Sequence, residues 1–288
     1  MNSKHILELT EYTDPYCTWC WGSEPVLRKI AEVFGAQVKI GFKMGGLVAD
    51  IKTFCDASNG ICGSTWHVQV AEHWLEASQR HGMPVDEQIF HDLKDANFST
   101  YPACIAYKSA QFQDEALANR FLRSIREAVA AERKDIQRLD VLAERAGKIG
   151  LDTDQFTADI ESGKAGKAFE EDLKWCREHG AHGFPTFSVR NPSDNKELVL
   201  HGYRRFDEFH EAFRSLAGNA VKPNFPKAGR DSIFSFVEKY QKVAPREITE
   251  VFTISDKEID EYLAPFVLNG TVQKTKAGNG VFYSQRID

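Results

Sequence analysis

Residues 14–22 read Asp-Pro-Tyr-Cys-Thr-Trp-Cys-Trp-Gly, and they place Cys17 and Cys20 where an apolar run ends and an amphipathic segment begins. The preceding residues 5–12 have the composition of a central β-strand, and apolar side chains recur at helical spacing over residues 26–34. A thiol in the first turn of a helix faces unpaired backbone N–H groups, which favour its thiolate form. This junction therefore predicts a reactive thiol.

The segments around this junction predict an α/β fold. Residues 37–42 are typical of a second strand, so a strand, a helix and a strand follow one another and predict a βαβ unit with a parallel pair. Much later, residues 184–189 and 198–200 are typical of two further strands, joined by the turn-rich residues 191–195. The long stretch between the two strand pairs is rich in helical patterns.

Several motifs together resemble the DsbA-like branch of the thioredoxin superfamily. A Cys-x-x-Cys pair begins the first helix, and Pro25 lies eight residues after Cys17. Residues 183–187, Gly-Phe-Pro-Thr-Phe, resemble the loop that carries the cis-proline of this family, and Cys-x-Trp-Cys-Trp-Gly is similar to the FrnE-like members. The resemblance covers about residues 5–216 and implies a thioredoxin-like fold with a large helical insertion at about residues 64–180.

The resemblance implies a protein dithiol–disulfide oxidoreductase or isomerase, in which Cys17 attacks and Cys20 resolves the mixed disulfide. Glu11 matches the buried acid of the family, and Lys39 fits the lysine often found near that acid. From the residues alone, a partly exposed strand acid is the alternative for Glu11, and its position relative to Cys17 is the sole argument against that alternative. The implied partners are disulfide-bearing protein or peptide substrates and a cellular thiol reductant, with no cofactor and no metal. The groove that receives the substrate would be lined by Trp19, Phe184 and Pro185.

A second unit is expected after a Gly- and Pro-bearing linker at residues 218–230, which separates residues 1–217 from residues 231–288. Three short helical patterns and a hairpin signal in the latter resemble a winged helix. Its nine acidic and seven basic residues give a net charge of −2, and the would-be recognition helix at 256–268 carries four acids against one lysine. Phosphates would repel such a helix, so DNA binding is disfavoured. A packing, self-association or protein-docking role, outside the catalytic unit, is expected instead.

This two-part layout also resembles the Clp-protease adaptor relatives of DsbA, which bind a client regulator and present it for degradation. The similar region runs from Pro245 to Tyr283. The aromatic-flanked pair of Cys17 and Cys20 is typical of an oxidoreductase and favours catalysis. A non-catalytic adaptor or client-binding protein, with the DsbA-like domain as a docking scaffold, is the alternative.

Composition agrees with a globular protein of the cytoplasm. The chain has 288 residues, of which 42% are hydrophobic, and its net charge of −6 argues against general affinity for nucleic acid. The sequence shows neither a secretory signal pattern nor an apolar run of the ~20 residues that span a bilayer. We therefore expect no membrane partner.

The remaining cysteines are expected to have no catalytic or metal-binding role. Cys55 and Cys62 are seven residues apart, which is the wrong spacing for a zinc knuckle. They could form a labile second disulfide, but two unrelated thiols are the favoured interpretation. Cys104 and Cys176 lie in helical patterns and are expected to pack as small apolar residues. His182 is expected to be a loop residue.

Overall fold

The structure is a computed structural model that describes residues 5–286. Residues 1–4 and 287–288, at the outer ends of the predicted ranges 1–217 and 231–288, lie outside the described residues. The strands are β1 Leu7–Thr13, β2 Val38–Met44, β3 Cys55–Asp56, β4 Ile61–Cys62, β5 Thr186–Arg190, β6 Glu197–His201, β7 Lys242–Val243, β8 Val272–Ala277 and β9 Gly280–Gln285. The helices are α1 Thr18–Phe34, α2 Trp66–His81, α3 Gln88–Asp92, α4 Tyr101–Gln113, α5 Glu115–Ala131, α6 Leu139–Ile149, α7 Thr153–Glu161, α8 Lys164–Glu178, α9 Phe206–Ala217, α10 Arg230–Tyr240, α11 Pro245–Phe252 and α12 Asp256–Leu268.

The central sheet has the strand order β2-β1-β5-β6. Strands β1 and β2 are parallel, as the βαβ pattern predicts, whereas β5 is antiparallel to β1. Leu7 and Leu9 lie in one apolar cluster with residues of α1 and α9. Because side chains alternate between the two faces of a strand, Glu11 continues the face of Leu7 and Leu9. The strand thus places a carboxylate under the first turn of α1.

Helix α1 begins immediately after Cys17, runs through Pro25 and ends at Phe34, with Gly35 as its C-cap. Gly35 has a φ of 52°, a conformation that L side chains rarely adopt, and its N–H donates to the carbonyl of Ala31. A clean stop after Phe34 lets the chain turn back into β2 beside β1.

Helices α2–α8 pack into a second apolar core that covers the start of α1. Buried Asp172 of α8 fixes this helical part to the sheet. Its carboxylate accepts from the Lys43 ammonium at 2.9 Å, the Met44 backbone N–H at 3.1 Å and the Lys108 ammonium at 2.8 Å. Within residues 5–286, no helix is both long enough and apolar enough to cross a membrane.

The C-terminal segment contains α10–α12 and a three-stranded sheet of order β7-β9-β8. The predicted three helices and hairpin are therefore present, and β7 is an added edge strand that the sequence did not suggest. Ile233, Ile248, Ile259 and Leu263 belong to an apolar cluster within this segment. The exact division of the chain into domains and the likeness to a winged helix stay predictions.

The C-terminal segment packs against the rest of the chain, in agreement with the packing role that was one of the expectations for it; its place outside the catalytic unit stays a prediction. Ala244 and Phe282 are part of the core formed by the helical residues 66–178, and α11 packs along α1. The tip of the β8–β9 hairpin is also fixed, because Asn279 donates its N–H to the Val85 carbonyl and accepts from the Val85 N–H, both at 2.9 Å. The linker itself lies against α1, because the backbone N–H of Asn224 donates to the Val33 carbonyl at 2.9 Å.

Candidate active site

Cys17 is the N-cap of α1, as the sequence junction predicts. Its sulfur accepts the backbone N–H of Cys20 at 3.2 Å, and its thiol donates to the Phe184 carbonyl at 3.4 Å. The side chain is 5% exposed, so the sulfur lies at the base of a surface depression. A negative charge on this sulfur would be stabilised by the free N–H groups of the first helical turn, as nucleophilic thiolates require.

Cys20 lies one turn further along α1 and is fully buried. Burial raises the pKa of its thiol well above the usual value, and the neighbouring Cys17 and Glu11 raise it further. The two cysteines therefore have different environments: the Cys17 sulfur lines a cavity and faces helical N–H groups, and the Cys20 sulfur lies in the interior beside a carboxyl group. This asymmetry suits an attacking and a resolving thiol.

Glu11 is a buried acid under Cys20, which excludes the partly exposed alternative. Burial is the largest influence on its carboxyl group and raises its pKa to about 7, although the nearby Arg126 lowers it. Its Oε2 accepts from Arg126 at 3.1 Å, and its Oε1 has no hydrogen-bond partner among residues 5–286. A carboxyl group that titrates near neutrality can accept and return a proton at physiological pH.

The cation beside this acid is Arg126, and the expectation for Lys39 is wrong. Lys39 pairs with the exposed Glu115 at 2.9 Å. The register explains the error: Glu11 lies opposite Phe42, so Lys39, three positions earlier on β2, points to the other face of the sheet. Sequence did contain a signal for Arg126, because it follows Leu122 by four residues on the buried stripe of α5.

The cis-proline loop lies opposite Cys17. The peptide between Phe184 and Pro185 is cis, and Pro185 is buried while Phe184 is half-buried. The ring of Phe184 rests on Gly45, where a Cβ atom would approach the ring to within 1.9 Å. Glycine at position 45 is therefore needed to let the loop reach the first turn of α1.

Trp19 borders a cavity of about 230 Å³ that opens beside Cys17. Its ring contacts His81 and Tyr203, with ring centroids 5.9 and 5.8 Å apart. Trp21 instead is a core residue whose indole N–H donates to the Pro84 carbonyl at 2.9 Å. The predicted groove residues are thus brought together around Cys17. The cavity is completed by residues of the segment between β2 and α2 and of the helical part, among them Ile51, Phe54, Ile61, Trp74, Phe90 and Phe98.

His81 is a supporting residue that the sequence did not reveal. It is buried, and burial lowers its pKa to about 4, so the imidazole is neutral at physiological pH. The Met83 backbone N–H donates to Nδ1 at 3.1 Å, which leaves Nε2 as the donor toward the Thr18 hydroxyl at 3.3 Å. Neutral His81 therefore holds the first residue between the two cysteines.

Cys55 and Cys62 form a disulfide, so the favoured interpretation of two unrelated thiols is wrong. They lie directly opposite each other on the short antiparallel pair β3 and β4, with their Cα atoms 4.5 Å apart. Asp56 closes the connecting turn by accepting from the Ser58 and Asn59 N–H groups. Residues of this hairpin form one wall of the cavity beside Cys17.

The other two cysteines are buried free thiols, as their helical patterns predict. Cys104 donates to Asp14 at 3.5 Å. Asp14 also accepts from the Tyr16 N–H, the Leu47 N–H and the Thr100 hydroxyl, so it fixes the loop that leads into the first cysteine. His182 is exposed in a loop at the cavity rim, in agreement with its predicted place.

Comparisons with known proteins match this architecture. The chain is 27% identical over 278 residues to the ClpXP adapter protein SpxH of Halalkalibacterium halodurans, covering 96% of this chain and 88% of that one. The Bacillus subtilis protein of the same name is 27% identical over 282 residues, covering 97% and 89%. The cytosolic disulfide reductase DsbM from Pseudomonas aeruginosa superposes with a TM-score of 0.54 at 22% identity, covering 81% of this chain and 97% of that one.

The thioredoxin family profile matches residues 11–211, a span that contains Glu11, both cysteines of the first helical turn and the cis-proline loop. Together with the strand order and the large helical insertion between β2 and β5, this match assigns the chain: it belongs to the thioredoxin family and has the DsbA-type form of that fold.

Proposed function

We propose that the chain is a thiol–disulfide oxidoreductase that acts on protein or peptide disulfides through Cys17. The observation that carries this proposal is the placement of the Cys17 sulfur, which accepts the Cys20 N–H at the start of α1 and faces the Phe184 carbonyl across the cis-proline loop. A sulfur held in this way is a poised nucleophile with a backbone acceptor beside it, and a disulfide in an extended segment can approach along that backbone.

In the reaction we propose, the Cys17 thiolate attacks one sulfur of the substrate disulfide, and the second substrate sulfur leaves as a thiolate. Cys20 then gives its proton to Glu11 and attacks the Cys17 sulfur. The mixed disulfide breaks, the substrate departs with both sulfurs reduced, and Cys17 and Cys20 remain as a disulfide. The two electrons gained by the substrate come from the cysteine pair. Arg126 holds the Glu11 carboxylate in the orientation that receives the proton.

A cellular thiol reductant would return the oxidised pair to its dithiol form. As part of the proposal, we place the reaction in the cytoplasm, where the thiol pool favours substrate reduction or isomerisation over net oxidation. Trp19, Phe184 and Pro185 would contact the segment of substrate that flanks its disulfide. The apolar cavity next to Cys17 gives that segment a place for one side chain.

Sequence similarity favours a second candidate, a protease adaptor. The curated relatives that carry an adaptor name align over 96–97% of this chain, including the C-terminal segment. An adaptor requires a client-binding surface and no thiol chemistry. The two candidates are separable because only the first depends on the sulfur of Cys17.

Insulin reduction driven by dithiothreitol distinguishes the candidates. We expect the wild type to accelerate insulin precipitation and Cys17→Ser to fall to the rate of dithiothreitol alone, since the attacking atom is gone. Cys104→Ser is the matched control, because it removes another buried thiol while its hydroxyl can keep the bond to Asp14. Equal activity of the wild type and Cys17→Ser would refute the catalytic proposal. In that case, equal binding of both proteins to purified ClpXP would support the adaptor.

A further inference from the structure

A chain of buried ion pairs runs from the active-site acid to the C-terminal segment. Arg126 donates to Glu11 at 3.1 Å and to Glu24 at 2.6 Å. The other oxygen of Glu24 lies 3.5 Å from Arg123. Arg123 in turn binds both carboxylate oxygens of Glu247, at 2.7 and 3.0 Å. Acids and arginines alternate along the whole path.

Strand β1 supplies Glu11, and three helices supply the other side chains of this path. Arg123 and Arg126 are three residues apart on α5, so they lie on one side of that helix. Glu24 belongs to α1, and Glu247 belongs to α11 of the C-terminal segment. The Glu247 side chain is fully buried, and it also pairs with Arg28 of α1 and accepts the Ala244 N–H. Arg123 thus depends on carboxylates from α1 and α11, and Arg126 depends on carboxylates from β1 and α1.

We infer that Glu247 is a positioning residue for the active site: by holding Arg123, it leaves Glu24 and Arg126 in the arrangement that sets the charge state of Glu11. The consequence for the reaction rests on the proposed thiol chemistry, in which the C-terminal segment would then take part through Glu247. Without the Glu247 charge, Arg123 would turn to its remaining carboxylates, Glu24 and Glu127. Of these two, Glu24 also binds Arg126. Arg126 would then bind Glu11 more closely.

The sign of the effect follows from the groups around Glu11. Weaker competition from Glu24 strengthens the contact of Arg126 with the ionised Glu11, and the lost negative charge of Glu247 acts in the same direction. Both changes lower the pKa of Glu11 from its value of about 7. The neighbouring residues on β2 and β5 are Phe42 and Phe187, and the titratable or charged groups that face Glu11 from the helices are Cys20, Glu24, Tyr107 and Arg126.

The test is a carbon-13 titration of the Glu11 carboxyl group in the full-length, reduced protein, with Glu11→Gln to assign the signal. Glu247→Gln keeps the shape of the side chain and removes its charge. We expect the midpoint of Glu11 to fall by about half a pH unit or more. Glu250→Gln is the matched control: it lies on the same helix and pairs with Lys29 of α1, outside the path to Glu11. It should shift the midpoint by less than about 0.2 units.

This titration needs no catalysis, so it separates the inference from the proposed function. If insulin is not reduced but the midpoint shifts only in Glu247→Gln, the coupling holds and the proposed activity fails. An unchanged midpoint, or equal shifts in Glu247→Gln and Glu250→Gln, would overturn the coupling. Should Glu247→Gln not fold, Arg28→Met combined with Glu247→Gln removes one buried charge of each sign and still frees Arg123, so the same shift is expected. In an active protein, the low-pH limb of insulin reduction should move with the midpoint.

Discussion

Deleting residues 231–288 is expected to prevent the remaining chain from folding cooperatively. The deletion removes Glu247 and leaves Arg28 and Arg123 buried without their shared carboxylate, and breaking a buried ion pair on one side costs about 3–5 kcal/mol. The deletion also removes the ring contact of Phe282 with Trp21, the residue next to Cys20. Because domains of this size are stable by only about 5–15 kcal/mol, the combined loss consumes most of the free energy of unfolding.

Near-ultraviolet circular dichroism and calorimetry of the truncated chain measure this effect. We expect weak aromatic signals and no sharp heat-absorption peak. Leu268→Ala is a suitable control in the same segment, since this side chain is 88% exposed and its loss should leave the melting temperature unchanged. A truncated protein with a native-like spectrum and a melting temperature close to that of the full chain would show that the segment is an independent appendage.

Replacing Arg126 with methionine is expected to cause the largest loss of stability among single substitutions at the site. Its guanidinium is fully buried between Glu11 and Glu24, so its removal leaves two acids in the interior. We expect the free energy of unfolding to fall by about 3–5 kcal/mol at pH 8. Arg120→Met, on the exposed face of the same helix, should change it by less than about 0.5 kcal/mol.

The loss in Arg126→Met should depend on pH. Without the arginine, the pKa of Glu11 rises further above about 7. An acid whose folded-state pKa lies above its unfolded value stabilises the fold fully below the unfolded value of 4.5, and this contribution is lost as pH rises through the folded value. Urea unfolding at pH 5 and pH 8 should therefore show a smaller deficit at pH 5. A deficit that is equal at both pH values, or larger at pH 5, would mean that Arg126 does not act on Glu11.

Local patterns were sufficient to predict the parts of the site that are close in sequence. The strand before Cys17, the amphipathic helix after it and the cis-proline loop each have a signature within about ten residues, and all three are found where they were expected. The parallel pairing of β1 and β2 followed from the same local order. The local patterns place Cys17 and Cys20, whereas the place of Phe184 and Pro185 opposite Cys17 was implied by the resemblance to the DsbA-like branch.

Apart from the disulfide of Cys55 and Cys62, the parts that failed depend on contacts between residues far apart in sequence. Arg126 is 115 residues from Glu11, and no pattern in either segment indicates that the two side chains meet. Lys39 was assigned to the acid by resemblance alone, and the alternation of side chains along β2 excludes it. The role of Glu247 depends on α11 lying against α1, which a Gly- and Pro-bearing linker did not suggest. The neighbours of Arg126, Lys39 and Glu247 are set by the packing of distant segments, which local sequence patterns do not indicate.

The most direct test of the account is to trap the reaction half-way. Reduced Cys20→Ala, mixed with a disulfide-bonded peptide, should form a one-to-one mixed disulfide that survives alkylation and is released by dithiothreitol, because the resolving thiol is missing. Intact-mass and peptide mapping should locate the adduct on Cys17, while the wild type accumulates none. Absence of an adduct, or an adduct on one of the cysteines at positions 55, 62, 104 or 176, would contradict the claim that Cys17 is the attacking thiol of this protein.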